Sequence, residues 1–219
     1  MPAMLVDYLR RPIFRMVHFD NLEYVLRNGM CTRNHVLSDP AYINIGDSDL
    51  IAQRQVYPVN IVPPGGFLGD YVPFYFGGHS PMLLNIKTGF RGIRQRPQKD
   101  IIFVICSIGS IIKQCPDRWC FTDGHAKKHI TAFFNSIDDL NKVDWKTVAM
   151  QYWNDCDEDW DRMRKKQAEF LVKDYVPAAC IQCIAVFDEQ RKVQVEEIVQ
   201  RSGLHIPVKI DIDRKLYYP

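Results

Sequence analysis

The chain has 219 residues, with 28 Lys or Arg against 26 Asp or Glu and a formal net charge of +2. This balance excludes a protein that coats nucleic acid through bulk positive charge, and a hydrophobic content of 47% excludes a disordered chain. No apolar run approaches the roughly 20 residues of a membrane span, and the N-terminus lacks a signal-peptide pattern. We therefore expect a single domain over residues 1–219, in the cytoplasm and without membrane contact.

A strand followed by a helix is the first predicted unit. Residues 13–19, IFRMVHF, alternate as a strand does. Asp20 and Glu23 then form an acidic capping box for a helix that Gly29 ends. His18 consequently lies at a strand end, where a histidine is either a satisfied core residue or a functional group.

A second helix is predicted over about 47–56. On this helix Arg54 shares the face that carries Leu50, which surface arginines normally avoid. An arginine held inward requires an anionic partner. The alternatives are a phosphate or buried carboxylate on one hand, and a salt bridge to Asp47 or Asp49 on the other.

An aromatic strand over 71–76 is followed by Gly77 and Gly78. Aromatic strands mostly lie in cores, but tyrosines and a glycine pair also permit a stacking wall that a ligand approaches closely. Ser80 caps the next helix. A basic run without any acid follows, and it is either a solvated loop or a phosphate-binding segment. Its cations are Lys87, Arg91, Arg94, Arg96 and Lys99.

The C-terminal half contributes buried strands near 101–107 and 180–187, a helix ended by Gly203, and a strand at 207–212. The elements interleave without a GxGxxG motif or a repeat, which predicts an α+β fold with antiparallel sheets. The CxxC spacing of Cys180 and Cys183 stands among strand residues with no second ligand pair. We predict no metal site, and reduced thiols.

Glu169 is the carboxylate with no simple structural explanation. It lies where a basic helix ending at Lys166 gives way to an alternating strand, between Ala168 and Phe170. Desolvation disfavours a charged carboxylate at such a position unless a cation pairs with it. The partner is either a nearby lysine or a functional group from elsewhere in the chain.

Seven strings of residues in order resemble the DarT family, toxin enzymes that ADP-ribosylate bases in single-stranded DNA, and among them the thymidine-modifying branch. The strings are VHFDNL at 17–22 with NG at 28–29, YINIG at 42–46, DLIAQR at 49–54, DYVPFYF at 70–76, SPMLLNI at 80–86, FTDGHA at 121–126 and QAEFLV at 167–172.

The resemblance implies the ADP-ribosyltransferase fold, two packed antiparallel sheets with inserted helices and a central NAD cleft. It implies that Glu169 and Arg54 are catalytic, with NAD as co-substrate and no metal. The residues it assigns to NAD binding are His18, Asn28, Gly29, Asn44, Arg54, Tyr71, Phe74 and Tyr75. It also implies a macrodomain antitoxin as a partner.

Single-stranded DNA is the implied target. The basic run and residues 125–134 combine cations with aromatic rings, as surfaces that bind single strands do. The candidate DNA-binding residues are Lys87, Arg91, Arg94, Arg96, Thr122, His125, Lys127 and Lys128. The alternatives are a transferase of the same fold acting on guanine, RNA or protein, and a catalytically silent nucleic-acid-binding module.

The implied chemistry suits both catalytic residues. A carboxylate beneath the nicotinamide ribose opposes the positive charge that develops there, and a guanidinium presents a forked donor to the pyrophosphate. Whether Arg54 or Glu169 takes the N3 proton of thymine is left open. Glu169→Ala is expected to abolish transfer with little loss of packing.

Overall fold

A computed structural model describes residues 3–219, which form eight α-helices and ten strands. The helices are α1 (Ala3–Arg10), α2 (Leu22–Asn28), α3 (Ser48–Arg54), α4 (Pro81–Thr88), α5 (Ile108–Gln114), α6 (Trp145–Ala149), α7 (Arg162–Lys166) and α8 (Glu189–Ser202). The strands are β1 (Pro12–His18), β2 (Met30–Cys31), β3 (Tyr71–Tyr75), β4 (Ile101–Ser107), β5 (Trp119–His125), β6 (Phe133–Phe134), β7 (Ala168–Lys173), β8 (Tyr175–Val176), β9 (Cys183–Val186) and β10 (Val208–Ile210). No helix within 3–219 combines the length and the apolar character needed to cross a bilayer.

Eight strands form one sheet in the order β10-β9-β4-β1-β3-β7-β5-β6, while β2 and β8 form a separate pair. All neighbours in the large sheet are antiparallel except β9 and β10, which are parallel. β1 pairs with β4 along its whole length but meets β3 only at Phe14 and Tyr75. The two sheets that the sequence predicts are therefore two four-stranded halves, joined at one residue pair.

Helices cover both faces of this sheet. On one face α2, α5 and α8 bury Val25, Ile111 and Val195 in the main apolar cluster. On the other face α4 buries Leu83 and Ile86 against β1 and β4. Because side chains alternate along a strand, β1, β3, β4 and β9 contribute to both clusters, whereas β5 and β7 contribute to the main cluster and to a third one that contains Tyr71. The second face also carries Tyr75, and it is the face on which the candidate site forms.

The helix after β1 begins later than the capping-box prediction placed it. Asp20 lies in a short 3₁₀ turn, and Nδ1 of His18 accepts a hydrogen bond from the Asp20 N–H at 3.3 Å. Asn21 then precedes α2 without a side-chain cap. Gly29 ends the helix at φ 82°, as predicted.

Gly77 and Gly78 are approached closely by the backbone of other segments, and not by a ligand as the sequence permitted. A Cβ at Gly77 would lie 2.0 Å from the Val148 carbonyl oxygen, and one at Gly78 would lie 2.1 Å from that of Lys215. Both approaches are too close for any side chain. The glycine pair thus lets two distant segments pack against the end of β3.

Lys166 is buried, 4% exposed, just before the strand that carries Glu169. Its Nζ donates hydrogen bonds to the carbonyl oxygens of Val148 at 2.7 Å and Met150 at 2.6 Å. Burial lowers the pKa of this amine to about 8. The amine therefore anchors the end of α6 and the residue after it. Burying it in its charged form costs free energy of folding, and this cost depends on pH.

We expect the contribution of Lys166 to stability to rise with pH. The folded pKa is depressed from 10.5 to about 8, so the contribution is full above about pH 10.5 and is lost as the pH falls through 8. Between pH 7.5 and 10, the free energy of unfolding of the wild type should gain about 2 kcal/mol relative to Lys166→Met. Urea denaturation at both pH values measures this. Lys146→Met, on an exposed position of α6, is the matched control and should show no such change.

Candidate active site

Arg54 and Glu169 meet, although they are 115 residues apart. Nη1 of Arg54 donates to Oε1 of Glu169 at 3.1 Å, and Nη2 lies 2.9 Å from Oε2. Only 13% of the arginine side chain and 6% of the glutamate side chain are exposed. A buried, two-point contact between these groups is the central feature of the site.

The simpler partners for these two residues are engaged elsewhere. Asp47 caps α3 by accepting hydrogen bonds from two backbone N–H groups. Lys165 pairs with Asp159 at 3.1 Å, and Nζ of Lys173 donates to the Pro64 carbonyl oxygen at 2.8 Å. Of the alternatives that the sequence left open, the structure therefore selects a buried carboxylate for Arg54 and a distant cation for Glu169.

Charge keeps the pair ionised despite its burial. Burial acts to raise the pKa of Glu169, but the charge and hydrogen bond of Arg54, together with the Ala126 N–H, outweigh it and hold that pKa below its usual value. Burial acts to lower the pKa of Arg54, and Glu169 outweighs it, so that pKa is raised. At neutral pH the site presents a carboxylate and a guanidinium.

An irregularity in β5 shapes the surroundings of Glu169. The register between β5 and β7 shifts between Phe121 and His125. Within this bulge, Oγ1 of Thr122 accepts a hydrogen bond from the Glu169 N–H at 3.0 Å and donates to the Gly124 carbonyl oxygen at 2.7 Å. Thr122 is fully buried. Its prediction as a DNA-binding residue is therefore wrong, because its hydroxyl completes the backbone pairing of Glu169 instead.

The bulge directs the next two residues toward the pair. The Ala126 N–H donates to Oε1 of Glu169 at 3.3 Å. Nδ1 of His125 accepts from the Lys127 N–H at 3.2 Å, so in the neutral ring Nε2 carries the proton. Burial lowers the pKa of His125, which keeps the ring neutral at physiological pH. His125, predicted to bind DNA, thus lies in the electrostatic environment of Glu169 and Arg54.

The aromatic strand β3 supplies one tyrosine beside Glu169 and another farther along. Tyr75 is the cross-strand partner of Glu169, and burial raises its pKa. Tyr71 is buried, and its hydroxyl donates to the Gly65 carbonyl oxygen at 2.6 Å. Phe74 pairs with Phe170 and lies on the opposite face, fully buried in the main cluster. The prediction that Phe74 binds NAD is wrong, because strand alternation directs it away from the site.

His18, Asn44 and Arg96 lie near one another at the other end of the same face. Nη2 of Arg96 donates to the Asn44 carbonyl oxygen at 3.5 Å. Burial lowers the pKa of His18, and Arg96 is among the cations that add to this effect. Asn44 is exposed, and its Oδ1 accepts from the Gly46 N–H at 3.3 Å. This group has a polar surface, and its assignment to NAD stays a prediction.

Asn28 and Gly29 make local contacts. Nδ2 of Asn28 donates to the Tyr24 carbonyl oxygen at 3.2 Å. A Cβ at Gly29 would lie 2.6 Å from the Tyr175 ring, so glycine is required for packing as well as for the turn. These contacts explain both residues structurally, and their binding of NAD stays a prediction.

The predicted DNA-binding residues fall into two separate groups. The basic run lies around a hollow of about 510 Å³ whose lining includes Lys87 and Arg96. Lys128 lines a second hollow of about 400 Å³. The two hollows flank β4 and β5, which are four strands apart in the sheet. Arg91 and Arg94 are exposed, whereas Lys87 bonds to the Pro219 oxygen.

Arg164 was not identified from the sequence. Its guanidinium donates to both carboxylate oxygens of Asp161 at 2.7 Å, to Oδ1 of Asp123 at 3.0 Å and to Oγ1 of Thr131 at 3.1 Å. It also lies over Gly124, where a Cβ would come within 2.2 Å. Arg164 thereby fixes the segment that carries His125 and Ala126. A run of basic residues gives no indication of which one turns inward.

Comparison with known proteins gives one consistent result. The family model for DarT, described as ssDNA thymidine ADP-ribosyltransferase, matches residues 14–218. A DNA ADP-ribosyl transferase of Escherichia coli O127:H6 is 33% identical over 196 residues, which are 90% of this chain and 89% of that protein.

Solved structures agree with this match. Thermus sp. 2.9 DarT in complex with ADP-ribosylated ssDNA superposes with a TM-score of 0.86 at 33% identity, covering 95% of this chain and 97% of that one. The same protein in complex with NAD+ gives a TM-score of 0.82 at 33% identity, covering 95% and 98%. Thermosipho africanus DarTG in complex with ADP-ribose, 21% identical with a TM-score of 0.74 over 92% of this chain and 50% of that one, shares the fold. The chain belongs to the DarT family, the ssDNA thymidine ADP-ribosyltransferases, and has the ADP-ribosyltransferase fold.

Proposed function

We propose that this chain transfers ADP-ribose from NAD to thymidine in single-stranded DNA, with release of nicotinamide. The observation that carries the proposal is the buried contact between Arg54 and Glu169 on the face that also holds Tyr75. The family match over residues 14–218 and the likeness to Thermus sp. 2.9 DarT, solved with NAD+ and with ADP-ribosylated ssDNA, support it.

The residues of the site fit NAD. Nη2 of Arg54 lies close to Oε2 of Glu169 but off the hydrogen-bond direction, so it is a buried donor without an aligned acceptor. Such a donor is costly unless an acceptor completes it, and a phosphate or ribose oxygen suits a guanidinium. When bound, NAD supplies the ADP-ribosyl group, with nicotinamide as a neutral leaving group.

Each residue of the pair has a role that its charge defines. Glu169 stays ionised, so it opposes positive charge that develops on the ribose and accepts a hydrogen bond from a ribose hydroxyl. Because Arg54 stays protonated, we assign the acceptance of the thymine N3 proton to Glu169. Arg54 then binds the anionic part of NAD and holds the carboxylate in place.

Two features of the proposal concern partners. The exposed cations Arg91, Arg94 and Lys128 are available for phosphates of the DNA strand. A toxin of this kind requires a restraint, and we propose a macrodomain antitoxin as the partner that removes the modification. This second proposal is supported by the family resemblance and by the shared fold of the Thermosipho africanus DarTG.

Mass spectrometry of oligonucleotides incubated with NAD tests the proposal. Four single strands, each offering one base type within an otherwise identical spacer, are incubated separately with the protein. We expect a mass increase of one ADP-ribose on the thymine strand only, together with release of nicotinamide. An RNA strand and a mixture of proteins are incubated in the same way, and modification of the guanine strand alone, of RNA alone or of protein alone would replace thymidine as the target. A duplex of the thymine strand with its complement serves as the control for strandedness.

A further inference from the structure

A second hollow of about 400 Å³ lies beside the reaction site and has no role in the chemistry described above. Its lining includes Lys128, Ile130, Trp160, Met163, Arg164 and Gln167. Gln167 stands two residues before Glu169, between the end of α7 and the start of β7. The turn that presents the Ala126 N–H to Glu169 continues directly into Lys128 and Ile130. Two of the segments that line the hollow thus lead directly to Glu169.

Three of the side chains that line the hollow are apolar and exposed to solvent. Trp160 is 75% exposed, Ile130 is 73% exposed and Met163 is 37% exposed. Single exposed apolar side chains are ordinary, but three that line one concavity mark a binding surface. An indole with a free face is a stacking platform for a planar ring.

The loop that carries Trp160 is held rigidly. A carboxylate oxygen of Asp155 accepts from the Met163 N–H at 2.8 Å. Oδ1 of Asp159 accepts from the Asp161 N–H at 3.0 Å, and Lys165 binds both carboxylate oxygens of Asp159 at 3.1 Å. Cys156 and Asp159 exchange two backbone hydrogen bonds. The backbone that carries the indole therefore does not have to be ordered when a ligand binds, which lowers the entropic cost of stacking.

Two cations and two carboxylates line the hollow, namely Lys128, Arg164, Asp155 and Asp161. Asp161 is neutralised by the forked contact with Arg164, and the Asp155 carboxylate is occupied by a backbone N–H. Lys128 is exposed and forms no salt bridge with any residue in the range 3–219. Its ammonium is thus available for a phosphate at the rim.

We propose that this hollow binds the unpaired nucleobase next to the target thymidine, stacked on the indole of Trp160, with Lys128 at the adjoining phosphate. The inference rests on the proposed function, since it assigns a neighbour to the base that is modified. An aromatic platform with a free cation at its rim is the combination that recognises single strands. A protein partner would be the alternative occupant, and the experiment below distinguishes it.

Fluorescence anisotropy with a series of abasic oligonucleotides tests the inference. Each oligonucleotide carries the target thymidine and one abasic site at a different neighbouring position. For the intact strand, Trp160→Ala should weaken binding about 10-fold, and Trp160→Phe should restore most of the affinity. One abasic position should weaken binding by the wild type about 10-fold, yet weaken binding by Trp160→Ala less than about 2-fold further.

Tyr152→Ala is the matched control, because Tyr152 is 84% exposed and lies outside the lining of the hollow. It should leave DNA binding unchanged, and all variants should retain the affinity of the wild type for NAD.

Binding by Trp160→Ala within about 2-fold of the wild type, or losses that multiply at every abasic position, would overturn the inference. So would unchanged DNA affinity with altered self-association in sedimentation, which would give the hollow a protein occupant. If the wild type modifies no oligonucleotide, the proposed function fails as well; modification that does not depend on Trp160 overturns the inference alone.

Discussion

Glu169→Gln is expected to lower the rate of ADP-ribose transfer to single-stranded DNA by a factor on the order of 10³. The substitution removes the negative charge that opposes the developing positive charge on the ribose, and it removes the proposed acceptor of the N3 proton. It retains one oxygen, which can still accept the hydrogen bond that Nη1 of Arg54 donates at 3.1 Å. Single-turnover transfer of label from NAD to a thymine strand measures the loss.

Glu197→Gln is the matched control for this variant. Glu197 is exposed on α8, a different element from those that carry Arg54 and Glu169. Its substitution should leave transfer and stability unchanged. NAD binding by the Glu169→Gln protein, measured by calorimetry, should remain detectable. A variant that folds, binds NAD and still transfers at more than about a tenth of the wild-type rate would contradict the role of Glu169.

Glu169→Ala is a poorer test than the sequence suggested. The expectation from the sequence was that removing one carboxylate at a strand start costs little. In the structure, that removal leaves the Arg54 guanidinium, whose side chain is 13% exposed, without its carboxylate partner. An unpaired buried charge destabilises a protein strongly. A loss of activity in the alanine variant would therefore combine lost chemistry with lost folding.

Arg54→Met is expected to destabilise the protein by about 3–5 kcal/mol, because it leaves the buried Glu169 carboxylate without its cationic partner. Arg54→Met/Glu169→Leu removes both charges and should recover most of that loss, since buried ion pairs contribute little net stability over apolar residues. Guanidinium chloride denaturation of the wild type, the two single variants and the double variant gives the coupling energy. Additive losses in the four proteins would mean that the pair is not buried in solution.

The pH dependence provides a second check on the Arg54→Met protein. Without the guanidinium, burial raises the pKa of Glu169 above its unfolded value, so the folded state binds the proton more tightly. The stability of the variant should therefore increase as the pH is lowered from 7 toward 5. In the wild type the folded pKa of Glu169 is depressed, so its contribution is present above the unfolded pKa and is lost only as the pH falls through the folded value. A variant whose stability does not increase over this range would contradict the assignment.

Local patterns determined much of the fold. The strand after Pro12, the end of α2 at Gly29, the helix that carries Arg54 and the strand that carries Glu169 all follow from alternation, helical periodicity and capping residues. Strand alternation also places Phe74 and Tyr75 on opposite faces, so the wrong assignment of Phe74 was avoidable from the sequence. The inward position of Arg54 followed from its place on the face of Leu50.

The sequence by itself determined that Arg54 and Glu169 each need a partner, because an apolar environment disfavours an unpaired charge. Only the tertiary structure decided that they are each other's partners, since it brings α3 to β7 although the two residues are 115 positions apart. It also decided that Thr122 and Arg164 are inward-facing hydrogen-bonding residues, because their partners lie around the bulge in β5. Periodicity is a property of neighbouring residues, whereas register, bulges and burial are set by which distant segments pack together.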